Sequence, residues 1–289
     1  MTQTTDPKTS DELAARAADS GAGATANFRQ SGKTGSAQVD PERVALLAGS
    51  LIKAANDLVR EHGVSYDEYN ALKSWLISVG EDGEWPLFLD VWLEHSVEEV
   101  NTSHRKGSKG TIEGPYYVPG APEQDSPATI PMREDEPGTP LVFAGQVRDV
   151  DGTPLSNAVV DLWHADANGF YSQFAPGLDQ WNLRVRVRTD ADGRYEINTV
   201  QPAPYQIPTD GACGKLIAAA GWHAWRPAHL HVKVEAPDHE TLTAQLYFPG
   251  DAHNDDDIAS AVKPELLLDV AESEGKNSTE YDFVLDPVR

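Results

Sequence analysis

The sequence predicts a mainly β protein with an α-helical N-terminal part, an antiparallel β-sandwich behind a small layer of helices. Two observations predict it. Between Asp40 and His104 apolar residues return every three or four positions, the period of a buried helix face. Beyond Gly110 the chain breaks into short runs separated by Gly, Pro, Asp and Asn, the texture of a sandwich. At 289 residues and 39% hydrophobic content the chain can bury a sizeable core.

Residues 1–38 are rich in Ala, Gly, Ser and Thr and poor in large apolar side chains, so burial cannot offset the entropy of ordering them, and they read as a disordered arm. Within it "SGKTGS" lacks the first glycine and the preceding strand of a phosphate-binding loop. Residues 39–109 read as a helical domain. Val44, Leu47, Leu51, Ala54 and Leu58 make one apolar face, and Gly63 stands where that helix would end. A second helix starts at Ser65, with Glu68 three residues on completing a capping box, and carries Tyr69, Leu72 and Leu76. Pro86 opens a third, with Leu87, Val91 and Trp92 on its apolar side. Three such helices form a thin layer whose apolar surface favours packing on a second copy or on the next domain. Residues 110–289 read as the sandwich. Strands flank Asp151-Gly152, a hairpin is expected around Asp192-Gly193, and "HLHVKVEAP", "LTAQLYFPG" and "EYDFVLDPV" add three strands.

Charge and cysteine usage narrow the partners. With 23 Lys and Arg against 46 Asp and Glu, the net charge of −23 repels nucleic acid and anionic membrane surfaces, which leaves a small molecule. Cys213 is the single cysteine, so no internal disulfide forms; a reducing, cytoplasmic setting is expected, and Cys213 is a poor candidate nucleophile. No apolar run approaches membrane-spanning length.

The residues that could carry chemistry are few. In "WRPAHLHVKVEAP" His229 and His231 share one face of a strand while Ala228, Leu230, Val232 and Val234 share the other. The apolar row is the core side, so the histidines are either metal ligands or polar residues on a solvated face continued by Lys233 and Glu235. Tyr171 follows an Asn168-Gly169 turn and reads as an exposed tip. Tyr205 lies in "QPAPYQIP", where Pro202, Pro204 and Pro208 make a stiff extended loop able to aim a phenol. Two imidazoles and two phenolates are a hard, partly anionic set that suits Fe(III) better than Zn(II) or Cu(I). Two rivals stand beside this reading. One is a Zn hydrolase recruiting His164, Asp166 or Glu235 to the histidines. The other is a β-sandwich binding module without catalysis.

Four stretches in order behind a helical segment, "IEGPYYVPGAP", "DLWHADANGFYSQF", "DADGRYEINTVQPAPYQIP" and "WRPAHLHVKV", resemble the intradiol ring-cleavage dioxygenases. From about Asp40 onward the pattern looks like the actinobacterial catechol 1,2-dioxygenases. The resemblance implies a non-haem Fe(III), one per subunit, ligated by Tyr171, Tyr205, His229 and His231, with Tyr205 and His231 axial. It implies intradiol cleavage of catechol by O2 to cis,cis-muconate, with Tyr205 as the base for the substrate proton, Arg226 stabilising charge on the substrate and Gln245 lining the site. Ile112, Pro115 and Tyr116 match its substrate-pocket segment. The helical part is implied to form a homodimer interface holding a phospholipid. Chlorocatechol and hydroxyquinol dioxygenases share these features and are the competing readings. One stretch departs from the pattern: "DGACGKLIAAAGWHAW" is poor in the polar residues usual at that position.

Overall fold

The computed structural model describes residues 40–273 and 275–289; the arm read over residues 1–38 lies outside the described residues. Helix α1, Pro41–His62, is capped by the Asp40 carboxylate and closed by Gly63 in the left-handed conformation (φ 61°). Helix α2, Tyr66–Asp82, carries the capping box of Ser65 and Glu68 that its sequence predicts. The third helix is broken. Trp85–Trp92 forms α3 and Glu94–Thr102 forms α4, because Leu93 takes a non-helical conformation (φ −123°, ψ −29°) between them.

Thirteen strands follow among the described residues. One sheet runs in the order β1 (Glu123–Asp125), β5 (Arg184–Arg188), β4 (Val159–Trp163), β9 (His229–Glu235), β10 (Leu242–Tyr247). The facing sheet runs β11 (Val270–Ser273), β12 (Lys276–Glu280), β3 (Pro140–Asp149), β6 (Arg194–Val200), β2 (Ala128–Thr129), with β13 (Phe283–Leu285) also on β3. A two-stranded ribbon joins β7 (Tyr205–Gln206) to β8 (Trp225–Arg226). The central pairings β3–β6, β4–β5, β4–β9 and β9–β10 are antiparallel, as the pattern predicts. The pairs β1–β5, β2–β6, β12–β3 and β13–β3 are parallel, and the edge strand β11 joins β12 antiparallel.

The hairpin expected around Asp192-Gly193 does not form as a pair. The turn is present, with Asp190 accepting from the Asp192 and Arg194 amides. It carries the chain from β5 in one sheet to β6 in the other. Local turn chemistry specifies a reversal, whereas partner choice is set by which apolar row each strand buries. Leu141, Phe143, Val147 and Ile197 from one sheet and Val160, Leu162, Val185, Leu230, Val232 and Val234 from the other belong to one buried core.

Helix α5, Ala212–Ala220, lies in the excursion between β7 and β8. The turn between α2 and α3 caps its start: Asp82 accepts from the Ala212 amide at 3.1 Å and the buried Glu84 from the Cys213 amide at 2.7 Å. The Trp75 indole donates to the Ala212 carbonyl at 2.7 Å. The helical layer thus grips the excursion whose two feet carry Tyr205 and Arg226. Cys213 is wholly buried and burial pushes its thiol well up, consistent with an unreactive role.

Candidate active site

His229 and His231 are 1% and 0% exposed, so the solvated-face reading of their row does not hold. The reason is tertiary: the strip at 111–117 crosses this face, bringing Gly114 so close that a Cβ there would lie 3.6 Å from the His231 ring. The row reaches partial exposure further along the strand, at Lys233 and Glu235. The His229 Nδ1 lies 2.7 Å from the Pro227 carbonyl, which can only accept, so Nδ1 carries the proton and Nε2 is bare. That Nε2 lies 3.0 Å from the His231 Nε2. Burial, then the neighbouring Arg226 charge, brings the His229 pKa down to about 3; burial and then His229 hold His231 well below its ordinary value. The His231 ring is fixed by stacking on Trp163, with centroids 4.8 Å apart and planes at 12°.

Tyr171 is not an exposed tip. It is 3% exposed, and its ring stacks on Tyr116 with centroids 4.3 Å apart and planes at 5°. The Asp166 carboxylate folds the preceding turn by accepting from the Asn168 and Phe170 amides, and Arg133 holds Asp166 at 3.0 Å. Gly169 (φ 85°) lets this turn meet the second tyrosine segment, since a Cβ there would sit 2.5 Å from the Tyr205 Cβ. The Tyr171 hydroxyl lies 3.0 Å from the His231 Nε2 and 3.5 Å from the His229 Nε2.

Tyr205 sits in the proline-framed segment as predicted, with a two-residue strand added. Its strand register sets it directly opposite Arg226. Tyr205 is buried, its ring 5.5 Å from that of Tyr171 and 5.6 Å from that of His229. Burial raises its pKa while the Arg226 charge and hydrogen bond oppose the rise.

Arg226 is a buried residue rather than a surface arginine. Its Nε and Nη2 donate to the two oxygens of Asp257 at 3.0 and 3.1 Å, and Nη2 also donates to the Gln245 Oε1 at 2.7 Å. The Gln245 Nε2 in turn donates to the Ile112 carbonyl at 3.0 Å, which fixes the orientation of the amide. Asp257 was absent from the candidates read off the sequence: it lies in an acidic run, "GDAHNDDD", where nothing local separates it from its neighbours. Ile112, Pro115 and Tyr116 are all buried in the strip that covers the site, and the Tyr116 ring lies 6.2 Å from that of Tyr205.

Two phenols and two imidazoles therefore meet in one buried place. Both imidazoles are neutral, and one bare nitrogen faces the other's Nε2 with a phenol oxygen beside them. Such a convergence of lone pairs fits a hard cation with a taste for oxygen and nitrogen. The zinc-hydrolase reading fails here, because among the described residues no group of three or more His, Cys, Asp and Glu side chains could hold a metal. His164 is occupied by the Ala165 carbonyl and the Thr199 hydroxyl, Asp166 by Arg133, and Glu235 by Arg186.

Residues 112–287 match the family model described as Dioxygenase, and residues 41–109 match Catechol dioxygenase N terminus. The chain belongs to the intradiol dioxygenases. It is 41% identical over 250 residues to a chlorocatechol 1,2-dioxygenase of Rhodococcus opacus, covering 84% of this chain and 97% of the relative. To catechol 1,2-dioxygenase 1 of Acinetobacter lwoffii it is 38% identical over 253 residues, covering 84% and 80%. The crystal structure of 3-chlorocatechol 1,2-dioxygenase from Rhodococcus opacus 1CP superposes with a TM-score of 0.83 at 48% identity, covering 86% of this chain and all (100%) of that one. This intradiol dioxygenase is thus a ring-cleaving oxidoreductase, and the non-catalytic reading of its sandwich is set aside. Among its described residues no helix is long and apolar enough to cross a membrane.

Proposed function

We propose that this chain opens the ring of a catechol between its two hydroxylated carbons, adding both atoms of O2 to give a cis,cis-muconate. We propose further that Tyr171, Tyr205, His229 and His231 hold a non-haem Fe(III) for the purpose. The observation that carries the reading is the buried meeting of these four side chains, with His229 Nε2 3.0 Å from His231 Nε2 and Tyr171 Oη 3.0 Å from the latter. Bound there, Fe(III) supplies the Lewis acidity and the redox couple that let a closed-shell catechol react with triplet oxygen.

The protein's own groups do the rest. Tyr205 is the base: its Oη takes a proton from a substrate hydroxyl, and the Arg226 cation across the two-residue ladder stabilises the phenolate that does so. Arg226 is held in place by both oxygens of Asp257, so its charge costs no reorganisation when negative charge builds on the substrate ring. Gln245 holds Arg226 on one side and the Ile112 strip on the other, tying the charge to the ring pocket. Ile112, Pro115 and Tyr116 provide an apolar wall for the aromatic ring and exclude water from it.

Unsubstituted catechol is the expectation from whole-chain likeness, but the relative named for chlorocatechol matches this chain at 41% identity over 97% of its length, against 38% over 80% for the one named for catechol. Catechol, its chlorinated derivatives and hydroxyquinol therefore belong side by side in the first assay. Assembly follows from the helices. Helix α1 has no buried residue, and Leu51 on it is 73% exposed. A homodimer through these faces, with phospholipid acyl chains filling the space between, would remove that surface from water.

The test is the visible spectrum of the purified protein, before and after anaerobic addition of catechol. A broad phenolate-to-Fe(III) band that moves to longer wavelength with catechol is expected. A protein that stays colourless after Fe(III) loading refutes the reading.

A further inference from the structure

One row of side chains crosses four strands of the five-stranded sheet. Arg184 on β5 pairs with Trp163 on β4, Trp163 with His231 on β9, and His231 with Gln245 on β10. Residues paired across strands stand on the same face, so the four form a line. An arginine stands at each end: Gln245 bonds Arg226, and the opposite end is Arg184 itself.

The two arginines differ in what answers their charge. Arg226 has Asp257. Arg184 is 1% exposed, yet among the described residues no carboxylate lies within ion-pair distance of it. Its hydrogen bonds go to a single residue, Nε to the Ser172 hydroxyl at 2.8 Å and Nη2 to the Ser172 carbonyl at 3.1 Å. Among the described residues its buried Nη1 has no hydrogen-bond partner, although the guanidinium carbon lies over the Phe174 ring, 5.9 Å from the centroid. Proteins bury a guanidinium this deeply only where its charge is used or answered. Burial brings its pKa down to about 10, which leaves it a cation at neutral pH. Ser172 directly follows Tyr171, and the Phe174 ring under the Arg184 guanidinium meets the Tyr116 ring that stacks on Tyr171, with centroids 5.1 and 4.3 Å apart.

We infer that Arg184 is a positioning residue of the centre, one that fixes Tyr171 through both polar atoms of Ser172 and sets a permanent positive charge beside the phenol that would ligate the metal. The inference rests on the ligand set proposed above. A cation at that place stabilises electron density on the phenol oxygen, so it lowers the energy of the donor orbital and raises the energy of the charge-transfer band. It also accounts for a fork that grips both the hydroxyl and the carbonyl of one serine, a geometry a lysine cannot supply.

The test compares Fe(III)-loaded wild type with Arg184→Met, Arg184→Lys and Ser172→Ala, reading the visible band, iron retention against a competing chelator, and the thermal midpoint. Arg184→Met is expected to move the band to longer wavelength and to weaken iron retention roughly 10–100-fold, the usual loss when a partner that orients a metal ligand is removed. Arg184→Lys keeps the charge without the fork, so the band stays near its wild-type position while retention falls. Ser172→Ala is expected to weaken retention less than Arg184→Met. If Arg184→Met lowers only the thermal midpoint, with band and retention unchanged, the inference is overturned. Should that variant fail to fold, unchanged retention in both other variants overturns it equally. A colourless wild type would sink the ligand set and the inference together, whereas a coloured wild type whose Arg184→Met band and iron retention are unchanged sinks the inference alone.

Discussion

Replacing Asp257 by Asn keeps the shape of the side chain and removes the charge that answers Arg226. Both guanidinium contacts to Asp257, at 3.0 and 3.1 Å, are buried, and the same carboxylate accepts from the Ala259 and Ala261 amides. Breaking such a pair from one side leaves an uncompensated buried charge and costs about 3–5 kcal/mol. At roughly 2–4 °C per kcal/mol for a chain of this size, the thermal midpoint should fall by about 6–20 °C. Catalysis should fall too. Losing a preorganised donor costs on the order of 10²–10³ in rate, and because Asp257→Asn loosens Arg226 without deleting it, that range is the ceiling. Arg226 and its own hydrogen bonds hold the Asp257 carboxyl below the ordinary carboxylate range against burial, which by itself raises it. A lowered folded pKa means that the pair's stabilisation is complete above the unfolded value of about 3.9 and is lost as pH falls through the folded one. Denaturant midpoints at constant slope, taken from pH 7 downward, with oxygen uptake on catechol at pH 7, would check each part. A variant that unfolds at the wild-type midpoint and consumes oxygen at the wild-type rate would refute this account of Arg226.

Tyr205→Phe is expected to keep much of the iron while losing ring cleavage; full activity at normal iron content, by oxygen uptake and metal analysis, excludes Tyr205 as the base. Leu51→Glu puts a charge at the centre of the exposed α1 face and should convert a dimer to monomer in light scattering without altering the fold, and an unchanged dimer would place the interface elsewhere. Burial raises the Glu84 pKa against the opposing hydrogen bonds from Cys213, so its contribution to stability is present below the unfolded value of about 4.3 and lost as pH rises through the folded one. Glu84→Gln should flatten that part of the stability–pH curve, and an identical curve would show that Glu84 folds with an unperturbed carboxyl.

Much of the scaffold was legible because it rests on local rules. The capping box at Ser65, the αL stop at Gly63 and the alternation in β9 each follow from a few adjacent residues. Turn signals were legible in the same way, but they fix where the chain reverses and not which sheet receives it, hence the misplaced hairpin at Asp192-Gly193. The break at Leu93 has no proline or glycine to announce it.

For the site, the sequence by itself determined the donor types: two imidazoles on one strand face, two phenols on segments stiffened by turns and prolines, and an arginine three residues before the first histidine. Only the tertiary structure decided that these donors are buried and mutually in reach, because burial depends on what crosses a face, here the strip at 111–117, and no strand period encodes that. Only it could separate Asp257 from the acidic residues around it, or show that one buried arginine is answered by a carboxylate and the other by a serine beside Tyr171. Side-chain chemistry is written in the chain residue by residue, while the distances that turn it into a site belong to the packing of segments far apart in sequence.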